Sequence, residues 1–213
     1  MPTGNEDING AVAWAVNICN DETHGYRTGG TLNPDIDCSG LIYYALLNNG
    51  FDVPSSRWDT STMMSYLRSM GFTEYIYYGN DPSYVPQHGD ICVHREGTPD
   101  DGHGHALFYG ENVYGYVDSH TPTKQLIPYA RIEALSTHGH PEAGDQANSY
   151  GVHNEVWAVQ MSPLYSTYTW HVFRWGGSPG PTPVVDPEEA AAVAAMLLAF
   201  GKKRKRKRDY YAN

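Results

Sequence analysis

The chain has 213 residues with 24 acidic and 14 basic side chains, a net charge of −10, and a globular composition rich in tyrosine and glycine. That length suits one domain with an appendage, and no stretch offers the roughly 18 to 20 apolar residues of a membrane span. Seven of the basic residues lie in Lys202-Lys203-Arg204-Lys205-Arg206-Lys207-Arg208, so residues 1–201 carry 7 basic against 23 acidic side chains, a net −16, while the remainder is +6. An acidic body argues against nucleic-acid binding by the main domain.

The opening Met1-Pro2-Thr3-Gly4-Asn5-Glu6-Asp7 has neither a basic n-region nor an apolar h-region, so no secretory signal is expected. Residues 8–20 read as a helix after Asp7. A polar, Gly-rich loop follows through Pro34. Residues 38–49 read as a second helix, closed by Asn48-Asn49-Gly50. Thr60 to Met70 reads as a third, with Gly71 at its end. Strands are then expected at Thr73–Tyr78, Asp90–His94, His105–Tyr109, Val113–Ser119, Glu155–Met161 and Thr169–Trp175. Helices first and strands later imply an α+β domain with helices on an antiparallel sheet. Residues 136–151 read as a polar surface loop. The expected organisation is a domain over 1–175, a Gly/Pro linker over 176–185, and a C-terminal helix with a basic tail over 186–213.

The chemistry concentrates in Asp37-Cys38-Ser39-Gly40, where the polar loop turns into the apolar helix Leu41-Ile42-Tyr43-Tyr44-Ala45-Leu46-Leu47. A cysteine attacks as its thiolate, and a helix N-terminus favours negative charge there. Cys19, in an apolar helical pattern, and Cys92, in a short strand, read as small buried hydrophobes, and three cysteines without a CxxC pair are neither a disulfide framework nor a zinc signature. The base expected for Cys38 is His105, at the start of an apolar strand in Gly104-His105-Ala106-Leu107-Phe108-Tyr109.

A third group, orienting the base, follows from a hairpin turning at Glu111-Asn112, which would set His105 opposite Asp118 on one sheet face. His120, one diagonal step further on, competes for that role, and a longer turn would bring Val117 opposite instead. His103 and His105 with Asp100 and Asp101, and the similar spacing of His138 and His140, could suggest a metal site, but nothing makes these side chains converge. They read as solvated loop histidines apart from His105, and neither a metal nor a cofactor is expected.

These residues resemble the phage-type peptidoglycan hydrolases, a bacteriophage lysin family among the NlpC-like, papain-related cysteine peptidases. The resemblance covers roughly residues 8–175 and lies in an ordered set of short motifs. These are Ala11-Val12-Ala13-Trp14-Ala15-Val16, Asn20-Asp21-Glu22-Thr23-His24-Gly25-Tyr26, Asp37-Cys38-Ser39-Gly40-Leu41-Ile42, Gly89-Asp90-Ile91, the His105 strand, Gly144-Asp145-Gln146 and Val172-Phe173-Arg174. It implies a papain-like NlpC-type fold, with Cys38 as nucleophile and His105 as base. It also implies that Tyr26 helps define the oxyanion region and that Asp37 and Ser39 contact the substrate. The family often places a histidine soon after an apolar pair on the strand after the catalytic one; here Val117 is followed by Asp118, with His120 two residues later.

The resemblance implies cleavage of an amide in peptidoglycan, either between N-acetylmuramic acid and L-alanine or within the stem peptide. Such a protein would be made in the host cytoplasm and reach the wall by holin release, as an endolysin, or as a virion component beside other virion proteins. A non-catalytic wall-binding or structural virion protein on the same scaffold is the alternative. Trp58, Tyr77 and Tyr78 could join Tyr26 along a groove, though core packing suits most of them better. The run 202–208 suits an anionic envelope polymer or membrane surface better than nucleic acid.

Overall fold

The computed structural model describes residues 4, 6–21, 23–78, 84–94, 104–115, 125–134, 154–158 and 168–176. Helix α1, Ile8–Cys19, starts where the side chain of Asp7 accepts a hydrogen bond from Gly10 N at 2.9 Å. Helix α2, Cys38–Leu47, starts in the same way at Asp37, and its end is finished by Asn48 and Asn49, whose side-chain amides donate to Tyr44 O and Ala45 O. Helix α3, Met63–Met70, begins later than the sequence suggests. Asp59 accounts for this, because its carboxylate collects the N–H groups of Ser61 and Thr62 and winds residues 60–62 into a turn. Gly71, at φ 101°, closes α3 as expected.

Six strands follow: β1 (Thr73–Tyr78), β2 (Ile91–His94), β3 (His105–Gly115), β4 (Gln125–Ala134), β5 (Asn154–Ala158) and β6 (Thr169–Arg174). They form one sheet in the order β1-β6-β2-β3-β4-β5 with every neighbouring pair antiparallel. The α+β expectation is met. One sheet face, including Ile91, Phe108, Ile132 and Phe173, joins Val12, Leu41, Ile42, Leu46 and Leu67 from the helices in the main core. Across the sheet, Cys92, Leu107, Trp170 and Val172 pack with Tyr84 in a second, smaller cluster.

Two expectations need correction. The proposed hairpin at Glu111-Asn112 does not form: β3 runs without turning from His105 to Gly115, and its partner is β4, a strand the sequence reading missed. Val113, expected to open a separate strand, belongs to β3, and the ladder partner of His105 is His94 on β2. Asp118 and His120 lie outside the described residues, as do Asp100, Asp101, His103, His138, His140, Gly144-Asp145-Gln146, and the linker, helix and tail beyond 176.

The misread segment has a definite geometry. Glu111 faces Tyr129 and Val113 faces Ile127, so neither strand carries an extra residue, yet Asn112 and Pro128 between them do not pair. Pro128 has no N–H to give the ladder, and Asn112 takes φ 52°. On β3 the residues turned into the helix-side core are Ala106 and Phe108, then Val113; on β4 they are Ala134, Ile132 and Ala130, then Ile127. Both strands therefore change pleat phase at the same level. Gly110 sits just before this change, where a Cβ would lie 2.6 Å from Ile132 Cδ1 and 3.0 Å from Val113 Cγ1.

Two of the sequence motifs meet in the sheet. Asp90, with no exposed surface, accepts from Arg174 Nε and Nη2 at 2.7 Å each. Its Oδ2 also accepts from Gln87 N at 2.9 Å and from the Tyr84 hydroxyl at 3.2 Å. This bidentate pair fastens the start of β2 to the end of β6. Arg174→Met would leave a buried, uncompensated carboxylate and is expected to cost about 3 kcal/mol in urea denaturation. Loss of under about 1 kcal/mol would refute the pair's importance.

Candidate active site

Cys38 is the first residue of α2, and its position is set by the residue before it. The Asp37 carboxylate is engaged on every side: Oδ1 accepts from Gly40 N at 2.7 Å and Ser39 Oγ at 2.9 Å, and Oδ2 accepts from Gly29 N at 2.7 Å. Arg57 Nη2 donates to the same Oδ1 and to Ser39 Oγ. The guanidinium crosses directly over Gly40, where a Cβ would fall 2.7 Å from Arg57 Nε. Glycine at that position lets the arginine reach the aspartate. Trp58 Nε1 donates to Ser39 O at 3.0 Å beneath the same turn, and Trp58 is buried in the core.

Asp37 and Ser39 are both buried, and these bonds turn their side chains inward. Their geometry is that of residues that hold the start of the helix. Tyr26 is brought beside them by a short bridge to Ile36, with Ile36 N donating to Gly25 O at 3.0 Å. Burial, followed by the charge of Cys38, pushes the Tyr26 pKa up to about 12. Its hydroxyl therefore keeps its proton at neutral pH and remains a donor next to the cysteine.

The ring of His105 lies close enough to the Cys38 side chain for the cysteine to favour the ring's charged form. Its Nε2 lies 2.7 Å from Glu133 Oε2, which leaves the other ring nitrogen for the thiol. Glu133 belongs to β4 and has no exposed surface. The β3–β4 register ends with Phe108 facing Ile132, and Glu133 is the next residue of β4 toward the His105 end of β3. His105 on β3 and Glu133 on β4 each alternate with core-facing residues, Ala106 and Ile132, and thus share a sheet face. A buried carboxylate on β4 thus makes the contact with the ring that was expected of Asp118 or His120, which lie outside the described residues.

Burial works against a charged His105 ring. Hydrogen bonds to Cys38 and Glu133, with the charges of both, outweigh it and raise the pKa to about 10. The sulfur on one side and the carboxylate on the other thus favour the imidazolium form of the ring. Across the strand pair, His94 stacks on Tyr168 with ring centroids 4.3 Å apart and lies 6.0 Å from the His105 ring. Cys19 and Cys92 are buried as expected, and burial raises the Cys92 thiol far above its ordinary value. Tyr77 packs 4.8 Å from Tyr84, whereas Tyr78 is exposed. Among the described residues no group of three or more His, Cys, Asp and Glu side chains is placed to hold a metal ion.

The sequence reading missed Glu133 and Arg57. Glu133 had a signal: it is a lone acid between Ile132 and Ala134 in an otherwise strand-like segment. Arg57 had none, because its partner is defined by the close approach at Gly40. No protein-family model matches the chain, and a comparison with curated proteins found no match.

Two outcomes follow. Asp37→Ala removes the N-cap of α2 and is expected to cost about 1–2 kcal/mol in thermal or urea unfolding. The His105 pair stabilises the fold fully below the ordinary histidine value of 6.5, and its contribution disappears as pH rises through about 10. His105→Gln should therefore flatten the fall in melting temperature between about pH 7 and about pH 10.5, and an unchanged slope would contradict the raised pKa.

Proposed function

We propose that this chain is a cysteine hydrolase that cuts an amide bond of bacterial peptidoglycan, built on a papain-like NlpC-type arrangement. The observation that carries the proposal is the convergence of Cys38, His105 and Glu133 from a helix start and two adjacent strands. The choice of peptidoglycan rests on the ordered motifs that resemble phage-type wall hydrolases.

In this reading the Cys38 thiolate attacks the amide carbonyl carbon. The oxyanion forms beside the Tyr26 hydroxyl and the start of α2, where a developing negative charge meets a donor and the positive end of a helix. The His105 imidazolium donates its Cys38-side proton to the leaving nitrogen, and the C–N bond breaks to leave a thioester. The now neutral ring takes a proton from water, which attacks the thioester carbonyl; the carbon–sulfur bond breaks, releasing the carboxylic acid and restoring the Cys38 thiolate beside the imidazolium. Glu133 accepts the Nε2 proton throughout, so the nitrogen facing sulfur is the one that exchanges protons.

The scissile amide would be the N-acetylmuramoyl–L-alanine bond or one within the stem peptide. The protein would act at the wall as an endolysin or a virion-associated lysin, with 202–208 drawn to an anionic envelope polymer or membrane surface. No cofactor enters this chemistry.

Purified peptidoglycan incubated with the protein, followed by zymography and mass spectrometry, tests the proposal. New amino termini on the fragments identify the bond. Cys38→Ala should lose all turnover while still folding, and equal activity in that variant would end the cysteine mechanism. Glu133→Gln should lower kcat by about 100-fold or more with KM nearly unchanged, as expected for a group that sets the tautomer of the base. A wild-type protein that binds wall material but releases no fragments would favour the non-catalytic reading.

A further inference from the structure

We propose that Arg131 is a positioning residue for the His105–Glu133 pair, holding Glu133 as a carboxylate so that the imidazole presents the correct nitrogen to Cys38. Its place in catalysis rests on the cysteine-hydrolase reading; its electrostatic effect on Cys38 does not. Arg131 and Glu133 are two residues apart on β4, and their side chains form an ion pair with Arg131 Nη2 3.6 Å from Glu133 Oε1. The opposite oxygen, Oε2, is the one bound to His105. The carboxylate thus lies between two cations, one on each oxygen. Arg131 is itself mostly enclosed, with 14 % of its side chain exposed, and its ladder partner Tyr109 is buried.

A carboxylate with no exposed surface is costly to keep ionised unless positive charge faces it. If Glu133 took up a proton, it would donate to Nε2 instead of accepting from it. The ring proton would then sit on the nitrogen facing Cys38, and the neutral ring could not accept the proton of the thiol. Arg131 guards against that tautomer without touching substrate or sulfur.

Other titratable groups surround the pair among the described residues. Cys38 approaches from α2 and His94 from β2; Cys92 on β2 feels the Glu133 charge. The Cys19 sulfur lies 3.8 Å from the Glu133 backbone oxygen, and Tyr109 faces Arg131. Among these described groups Arg131 is the one that brings a permanent positive charge. Removing a cation raises every pKa in a coupled set, so both limbs of a pH profile must move to higher pH.

The test uses the full chain and iodoacetamide, reading alkylation of Cys38 against pH by peptide mass spectrometry, with Cys19 and Cys92 as buried internal references. Arg131→Met and Arg131→Gln are expected to move the acid limb of Cys38 alkylation upward by about one pH unit. Arg131→Lys is expected to restore the wild-type limb. A merely structural arginine would change melting temperature and leave the limbs in place. An unmoved limb in either folded charge-removing variant overturns the proposal, as does failure of both variants to fold. Because no peptidoglycan is used, a shifted limb in a protein that fails to cut the wall would sink the functional reading alone.

Discussion

The Asp37 carboxylate fixes where the Cys38 side chain starts from the helix. It satisfies a helix N–H, a loop N–H, a hydroxyl and a guanidinium at once, and so ties two other chain segments, at Gly29 and Arg57, to the start of α2. A cap of this kind is ordinarily a matter of about 1 kcal/mol of helix stability. Here it also sets the direction of the adjacent cysteine, because the capping residue and the reactive residue are consecutive. The loop that carries Tyr26 is drawn in by the same residue through Gly29. The sulfur, the neighbouring hydroxyl and the helix end thus share one anchor.

The sheet supplies the other half of the site by a different means. Its precision comes from register: once Phe108 faces Ile132, the positions of His105 and Glu133 relative to each other are determined. Two ionised groups in a dry interior are tolerated because each finds its opposite within hydrogen-bonding distance. The Asp90–Arg174 pair on the far strands repeats that solution for structural ends, holding β2 against β6. In both places a buried carboxylate is matched by a cation from a neighbouring strand or across the same strand.

Much of this was legible in the sequence, and the remainder failed for physical reasons. The α1 and α2 starts, the Gly71 stop, β1 and the placement of Cys38 were read from caps, glycines and apolar periodicity, which are local signals. The pairing of Cys38 with His105 was readable because both residue types sit at element starts. The third partner was not. Pro128 masked β4, since proline in a run argues against an interior strand, and Gly110-Glu111-Asn112 imitates a turn. One irregularity explains both errors: proline and asparagine oppose each other across the ladder, each occupying the position where the other makes no demand. Glu133 was thereby placed in a segment with no assigned structure, and its contact with His105 went unread.

The same irregularity binds two distant stretches of sequence into one inherited unit. A strand whose pleat shifts alone would turn its apolar residues outward along the rest of its length. Because β3 and β4 shift together, each corrects the other, and all residues beyond the gap keep their places in the core. A one-residue insertion or deletion on either strand would be tolerable only with a matching change opposite it. Positions 112 and 128 should therefore drift as a pair, and a graft of β3 into another scaffold would have to carry β4 with it.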